Sequence, residues 1–200
     1  MAGNQARRLV VGISGASGAI YGQRVLDACR EMGIESHLIV SRAGALTLRA
    51  ETADSPRDLA ARASVTYRIG DIGAAVASGS FHTMGMIVAP CSVRTFSEIA
   101  TGVTTTLLTR AADVTLKERR PLVLMVRETP LHLGHLRTLA RLAEMGAVIA
   151  PPVPAFYAKP ASLEEMVDQT VGRALDLFGL AWGAVRRWEG GATPAGEEDV

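Results

Sequence analysis

Five short segments of this chain run apolar through consecutive positions, and most are followed by a stretch of helical periodicity. They are residues 8–14 (RLVVGIS), 36–41 (SHLIVS), 86–90 (MIVAP), 121–127 (PLVLMVR) and 147–150 (AVIA). The helical patterns cover 19–32, 43–51, 105–118, 132–145 and 162–179, with Gly33 and Gly146 placed to close two of them. A strand apolar on both faces has to be covered on both faces. Helices between successive strands supply that cover and leave the strands parallel. The pattern predicts an α/β fold with a mostly parallel sheet between two helical layers.

Residues 52–85 carry a weaker pattern, with an extended edge strand near 65–67 and a helix near 72–77 as its best readings. SGSFHTMG (78–85) reads as a loop leading into MIVAP. Two hundred residues suit one domain. The expected division is an N-terminal extension over 1–7, a domain over 8–180 and a tail over 181–200. The last part of that tail is acidic, has little to bury and is expected to be disordered.

A formal net charge of +1 lacks the basic stripe that a nucleic-acid partner would require, so none is expected. No apolar run reaches the roughly 18 residues of a membrane span, so a membrane is not expected either. Arg7 and Arg8 before LVVGI imitate a signal peptide, but the apolar run behind them is too short. Cys29 and Cys91 form neither a CxxC nor a zinc spacing, and read as buried free thiols of a cytoplasmic protein. Among the 21 Lys and Arg residues only Lys117 and Lys159 are lysines. Arginine binds phosphate and carboxylate through two parallel hydrogen bonds, which suits an anion site, although a GC-rich genome gives the same bias.

In an open parallel sheet, ligands bind beyond the carboxyl ends of the strands. There the chain places SGASGAIYG (14–22), Ser41, PCSVRT (90–95), Arg127 with Glu128, and PPVPAFY (151–157), each rich in glycine, hydroxyls or charge. Gly12, Gly15 and Gly18 let backbone bend towards a ligand, and free N–H groups at the helix start after them would receive a phosphate. The spacing is neither GxGxxG nor a Walker loop. Ser92 and Thr95 are placed either to cap a helix or to touch the ligand. Arg110, Asp113, Lys117 and Glu118 lie at helical spacing and read equally as exposed ion pairs. His132 and His135, i,i+3 without an HExxH pattern, read as caps or exposed residues, and no metal is expected. His37 and His82 are without an assigned role.

Taken together, GISGASGAIYG (12–22), SGSF…GMIVAPCS (78–92), LLTRAADVTLKERRPLVL (107–124), RETPL (127–131) and PPVPAFY (151–157) make the chain closely resemble the flavin prenyltransferase (UbiX) family over about residues 8–180. The resemblance implies a Rossmann-like, flavodoxin-type three-layer sandwich that assembles as a homododecamer. It implies a metal-independent transfer of a dimethylallyl group from dimethylallyl monophosphate to N5 and then C6 of reduced FMN. The product, prenylated FMN, serves UbiD-type decarboxylases. By matching positions, Gly15, Ala16, Ser17, Ser41, Ser92, Val93, Arg94, Thr95 and Arg127 bind FMN. Arg110, Lys117, Arg127, Glu128, Tyr157, Arg173 and, more loosely, Trp188 gather round the prenyl phosphate. Ser17, Glu51, Glu128 and Lys117 are the implied catalytic residues, with Glu51 handling protons. Phe96 stands where many members carry Leu, and 52–77 is the least family-like segment.

Two other readings share the fold. A cysteine decarboxylase of the phosphopantothenoylcysteine type would carry a catalytic His and a PASANT-like segment where this chain has PCSVRT. A non-catalytic flavin-binding subunit of an aromatic-acid decarboxylase would have no use for Lys117, Glu128, Tyr157 and Arg173 together.

Overall fold

The computed structural model describes residues 7–188 and 190. The expected N-terminal extension, apart from Arg7, and the acidic end of the tail fall outside the described residues. Six strands form one sheet: β1 (Arg8–Ile13), β2 (Glu35–Val40), β3 (Val65–Tyr67), β4 (Met86–Cys91), β5 (Leu122–Val126) and β6 (Val148–Ile149). All neighbouring pairs are parallel and the order is β3-β2-β1-β4-β5-β6. The order reverses between β1 and β4, and a crevice opens at that switch point beyond the strand ends.

Alternation along β1 divides the core. Leu9, Val11 and Ile13 face a layer formed by α1 (Ala19–Glu31), α2 (Arg42–Glu51), α3 (Pro56–Arg62) and α7 (Leu163–Leu175). Val10 faces the other layer, α4 (Val93–Thr101), α5 (Leu107–Lys117) and α6 (Leu133–Glu144). The fold is therefore the three-layer sandwich expected. Cys29 and Cys91 are buried free thiols, and burial pushes the Cys29 thiol up to about 12 and the Cys91 thiol well above its ordinary value.

Two details differ from the sequence reading. The helix expected near 72–77 is a single 3-10 turn at Ala75–Ala77, for Gly70 and Gly73 precede it and only Val76 gives it a fully buried anchor. The helix expected over 162–179 changes at Asp176 into a 3-10 turn that ends at Gly179, φ 70°. Two helices, α3 and α4, lie outside the expected helical stretches, although Ser92 and Thr95 had marked a possible cap for α4. In α3, Ser55 and Asp58 form a reciprocal capping box with Pro56 at the first position, and Leu59 anchors the helix in the core.

Beyond α7 the chain packs back on the domain. Trp182 is 6% exposed and its indole N–H donates to Glu31 at 2.6 Å. Val185 lies against Gly172, where a Cβ would come within 2.0 Å of it.

Candidate active site

A cleft of about 620 Å³ opens at the switch point. That size suits a small-molecule or cofactor site. The turn after β1 gives it Gly15, Ala16 and Ser17, and the start of α2 gives Ser41, Arg42 and Ala43. The start of α4 gives Ser92, Val93, Arg94 and Thr95, and the chain after β5 gives Arg127 and Glu128. All nine expected FMN-binding residues therefore line one cleft.

Local chemistry explains why hydroxyls stand at these positions. Ser41 caps α2 by accepting from the Gly44 N–H at 2.9 Å, and Ser92 caps α4 by accepting from the Thr95 N–H at 3.4 Å. Thr106 caps α5 through a reciprocal box with Thr109. The capping residues Ser41, Ser92 and Thr106 themselves line the cleft. Capping and lining are one arrangement here, not alternatives. Three helix starts thus present the positive ends of their dipoles to one space, a setting that favours a phosphate. Arg127 adds a full positive charge at the same rim.

The turn after β1 is built by close approach. A Cβ at Gly15 would meet the Ala43 Cβ at 2.3 Å, so only glycine lets this turn lie on the start of α2. Gly18 adopts φ 102°, the left-handed region, and has no side chain with which to cap α1. Glu51, the last residue of α2, does so instead: its carboxylate accepts from the N–H groups of Gly18 at 2.8 Å and Ala19 at 3.0 Å. This corrects one sequence expectation. Those two N–H groups are not free for a phosphate, because the protein's own carboxylate occupies the start of α1. The helix starts that open on the cleft are those of α2, α4 and α5.

Burial works to raise the Glu51 carboxyl, but the Ser17 hydroxyl, the N–H groups of Ala19 and Gly18, and the Arg127 guanidinium together hold it below its ordinary value. Burial also pushes the Tyr21 phenol up, against the opposing pull of Arg127. Glu128 accepts from the Thr129 N–H at 2.9 Å through one oxygen.

Five expected prenyl-phosphate residues do not line this cleft within one chain. Arg110 pairs with Asp113 at 2.8 Å, and Lys117 pairs with Glu118 beside Gly79. Tyr157 is 46% exposed, stacks edge to face on Trp188 at 5.9 Å and receives a hydrogen bond from Gln169 at 3.3 Å. Arg173 pairs with Asp176 and borders a smaller hollow of about 170 Å³ with Pro151 and Val153. These side chains form separate exposed groups.

The cleft has further walls that sequence reasoning missed. Ile69 and Gly70 follow β3, so the strand-end rule applied to that short edge strand would have found them. Thr105, Thr106, Leu108 and Thr109 come from the start of α5, where the T-x-x-T capping pattern was the available signal. Arg42 and Ala43 simply follow Ser41, and Glu98 reaches the rim from α4, held by Arg94 at 2.8 Å.

Of the remaining histidines, His132 caps α6 through Nδ1, which accepts from the Gly134 and His135 N–H groups at 3.0 and 3.3 Å. His37 is buried between Tyr67 and Glu35. Both serve the scaffold.

A model of the Flavoprotein family matches residues 2–175. The flavin prenyltransferase UbiX of Escherichia coli K12 is 56% identical over 187 residues, covering 92% of this chain and 99% of that protein. The chain belongs to the flavin prenyltransferase (UbiX) family. The crystal structure of AnUbiX in complex with FMN and dimethylallyl pyrophosphate superposes with a TM-score of 0.92 at 48% identity, covering 93% of this chain and 99% of that one. A dodecameric FMN-dependent UbiX-like decarboxylase from Escherichia coli O157:H7 superposes with a TM-score of 0.89 at 46% identity, covering 92% and 100%.

Proposed function

We propose that this chain is a flavin prenyltransferase, joining the dimethylallyl group of dimethylallyl monophosphate to N5 and C6 of reduced FMN. The observation that carries the reading is the meeting of Gly15–Ser17, Ser41, Ser92–Thr95 and Arg127 in one cleft, onto which three helix starts open. The residues present fit FMN: helix N-termini and Arg127 for its phosphate, hydroxyls for its polar edges, and Val93, Ile69 and Leu108 as apolar walls. When bound, reduced FMN supplies the nucleophilic ring positions.

The protein's own part is electrostatic and positional. The allylic phosphate departs with its charge stabilised by Lys117, Arg110, Arg127, Arg173 and the Tyr157 hydroxyl, so no metal is required, and Glu128 lies beside these groups as their counter-charge. Excluding water from that pocket strengthens each of these contacts. Trp188 and Tyr157 shield the developing allylic cation. Ser17 and Glu51 handle the proton released as the flavin is alkylated. Since Arg110, Lys117, Tyr157 and Arg173 stand outside the cleft of their own chain, neighbouring subunits of a dodecamer complete the prenyl-phosphate site. The likeness to a dodecameric relative supports this reading.

Prenylated FMN passes to a UbiD-type decarboxylase. The domain spans 8–180, and it works in the cytoplasm, where two buried free thiols remain reduced. A non-catalytic flavin-binding subunit has use for the cleft but not for Lys117, Glu128, Tyr157 and Arg173 together. A cysteine decarboxylase is disfavoured by PCSVRT at the start of α4.

The test is anaerobic incubation with reduced FMN and dimethylallyl monophosphate, followed by mass spectrometry of the flavin. Gain of one isoprenyl unit is expected; unchanged flavin overturns the reading.

A further inference from the structure

Glu51 is an exposed residue at the very end of a helix, yet its carboxylate stands at a fixed place on α1. The two backbone hydrogen bonds that place it lie at a helix terminus, where fraying is ordinary. A second attachment three residues on makes up for this. The Asp54 carboxylate accepts from the Gln23 side-chain amide at 2.7 Å and from Arg62 at 2.6 Å. Arg62 also donates to Asp27 at 2.8 Å. Ala19, Gln23 and Asp27 follow one another at four-residue spacing along a single edge of α1. Gln23 is 7% and Asp27 4% exposed, so this edge is sealed.

The link between Glu51 and Asp54 is short and itself pinned. The Thr52 N–H and hydroxyl both donate to the Leu48 carbonyl, at 3.0 and 2.9 Å, and the Thr52 hydroxyl accepts from the Asp54 N–H at 3.3 Å. Ser55 then caps α3. A displacement of Asp54 is therefore passed to Glu51 with little slack.

We propose that Asp54 is a positioning residue: held between Gln23 and Arg62, it clamps the end of α2 onto α1 and so keeps the Glu51 carboxylate at the Ser17–Ala19 turn. The proposal rests on the reading of Glu51 as the proton-handling group of the site. Neither Glu51 nor Asp54 is among the residues that line the cleft, but Glu51 is bonded to Ser17, which is, so Asp54 acts through Glu51. The groups that face Glu51 are Ser17 on its own turn and Arg127 from the chain after β5.

The experiment compares Asp54→Ala with Asp54→Asn, which keeps an acceptor for both partners, and with Glu51→Gln. The Glu51 carboxyl is titrated by carbon-13 NMR in the unliganded full chain, and steady-state prenylation is measured in parallel. In folded Asp54→Ala the Glu51 midpoint moves up, and kcat falls about 10- to 100-fold, as expected for a misplaced group, while the KM for dimethylallyl monophosphate stays within about twofold. Asp54→Asn restores both. If Asp54→Ala does not fold, Gln23→Met with Arg62→Met removes both ties of Asp54 to α1 and is read in the same way. An unmoved midpoint with unchanged kcat in the folded variant overturns the proposal. Full turnover by Glu51→Gln would instead remove the role given to Glu51, while the titration still decides the clamp.

Discussion

The Ser14 hydroxyl accepts a hydrogen bond from the Ser92 N–H at 2.8 Å, and it donates to the Pro90 carbonyl at 2.9 Å. Ser14 is 1% exposed and follows β1, while Ser92 caps α4. This one side chain therefore fixes the first glycine-rich turn against the start of α4, which are two walls of the same cleft. Ser14→Ala leaves the Ser92 N–H without its acceptor, whereas the Pro90 carbonyl keeps the Ser14 N–H at 3.2 Å. Ser92 is half-buried, so the orphaned donor costs about 1 kcal/mol, the low end for such groups. The expected result is a loss of that size in urea unfolding together with weaker FMN binding by fluorescence titration.

Gly15 and Ala43 make a second joint between walls. Gly15→Ala drives its new methyl into the Ala43 Cβ and forces the turn off α2. Overpacking of this kind costs about 1–3 kcal/mol. Ala43→Gly, itself costing about 1 kcal/mol or less as a helix substitution, should recover much of the loss when the two are combined. A thermal unfolding cycle over the four proteins checks this, and strictly additive losses would count against the contact.

The Glu51 carboxyl is held below its ordinary value in the folded chain. A group depressed by folding contributes stability above its unfolded value, and that contribution is lost as pH falls through the folded value. Glu51→Gln should therefore be less stable than the parent at neutral pH, with the gap closing as the solution is acidified from about pH 7 to about pH 3. Urea midpoints across that range measure it. A gap that widens with acid would contradict the assignment.

Lys117 and Arg173 lie outside the FMN cleft of their own chain. Replacing either with Ala should weaken dimethylallyl monophosphate about 10-fold or more, as for lost charge-assisted hydrogen bonds, and leave FMN affinity nearly unchanged. Separate titrations of the two ligands decide this, and equal losses would overturn the division of roles. Mixed oligomers of Arg127→Ala and Arg173→Ala chains should regain activity, because some sites then receive both intact residues.

Much of the cleft was legible because it follows from strand ends. Gly15–Ser17, Ser41, Ser92–Thr95 and Arg127 each come directly after an apolar run, and the strand-end rule needs only the strands. Ile69 falls under the same rule once the short edge strand β3 is included, whereas Thr106 does not, because α5 reaches the cleft by its start and not by following a strand. The misreading at Gly18 has a different cause: nothing local shows that its acceptor, Glu51, stands 33 residues further on.

The sequence by itself determined the layered α/β fold, the glycine turn, the helix caps and the membership of the family, since these depend on local pattern and on long contiguous motifs. The tertiary structure decided which helix starts remain open to a phosphate, which carboxylate seals α1, and which cations stand away from the cleft. Those outcomes depend on distances between side chains far apart along the chain, and such distances exist only once the sheet has set the helices in place.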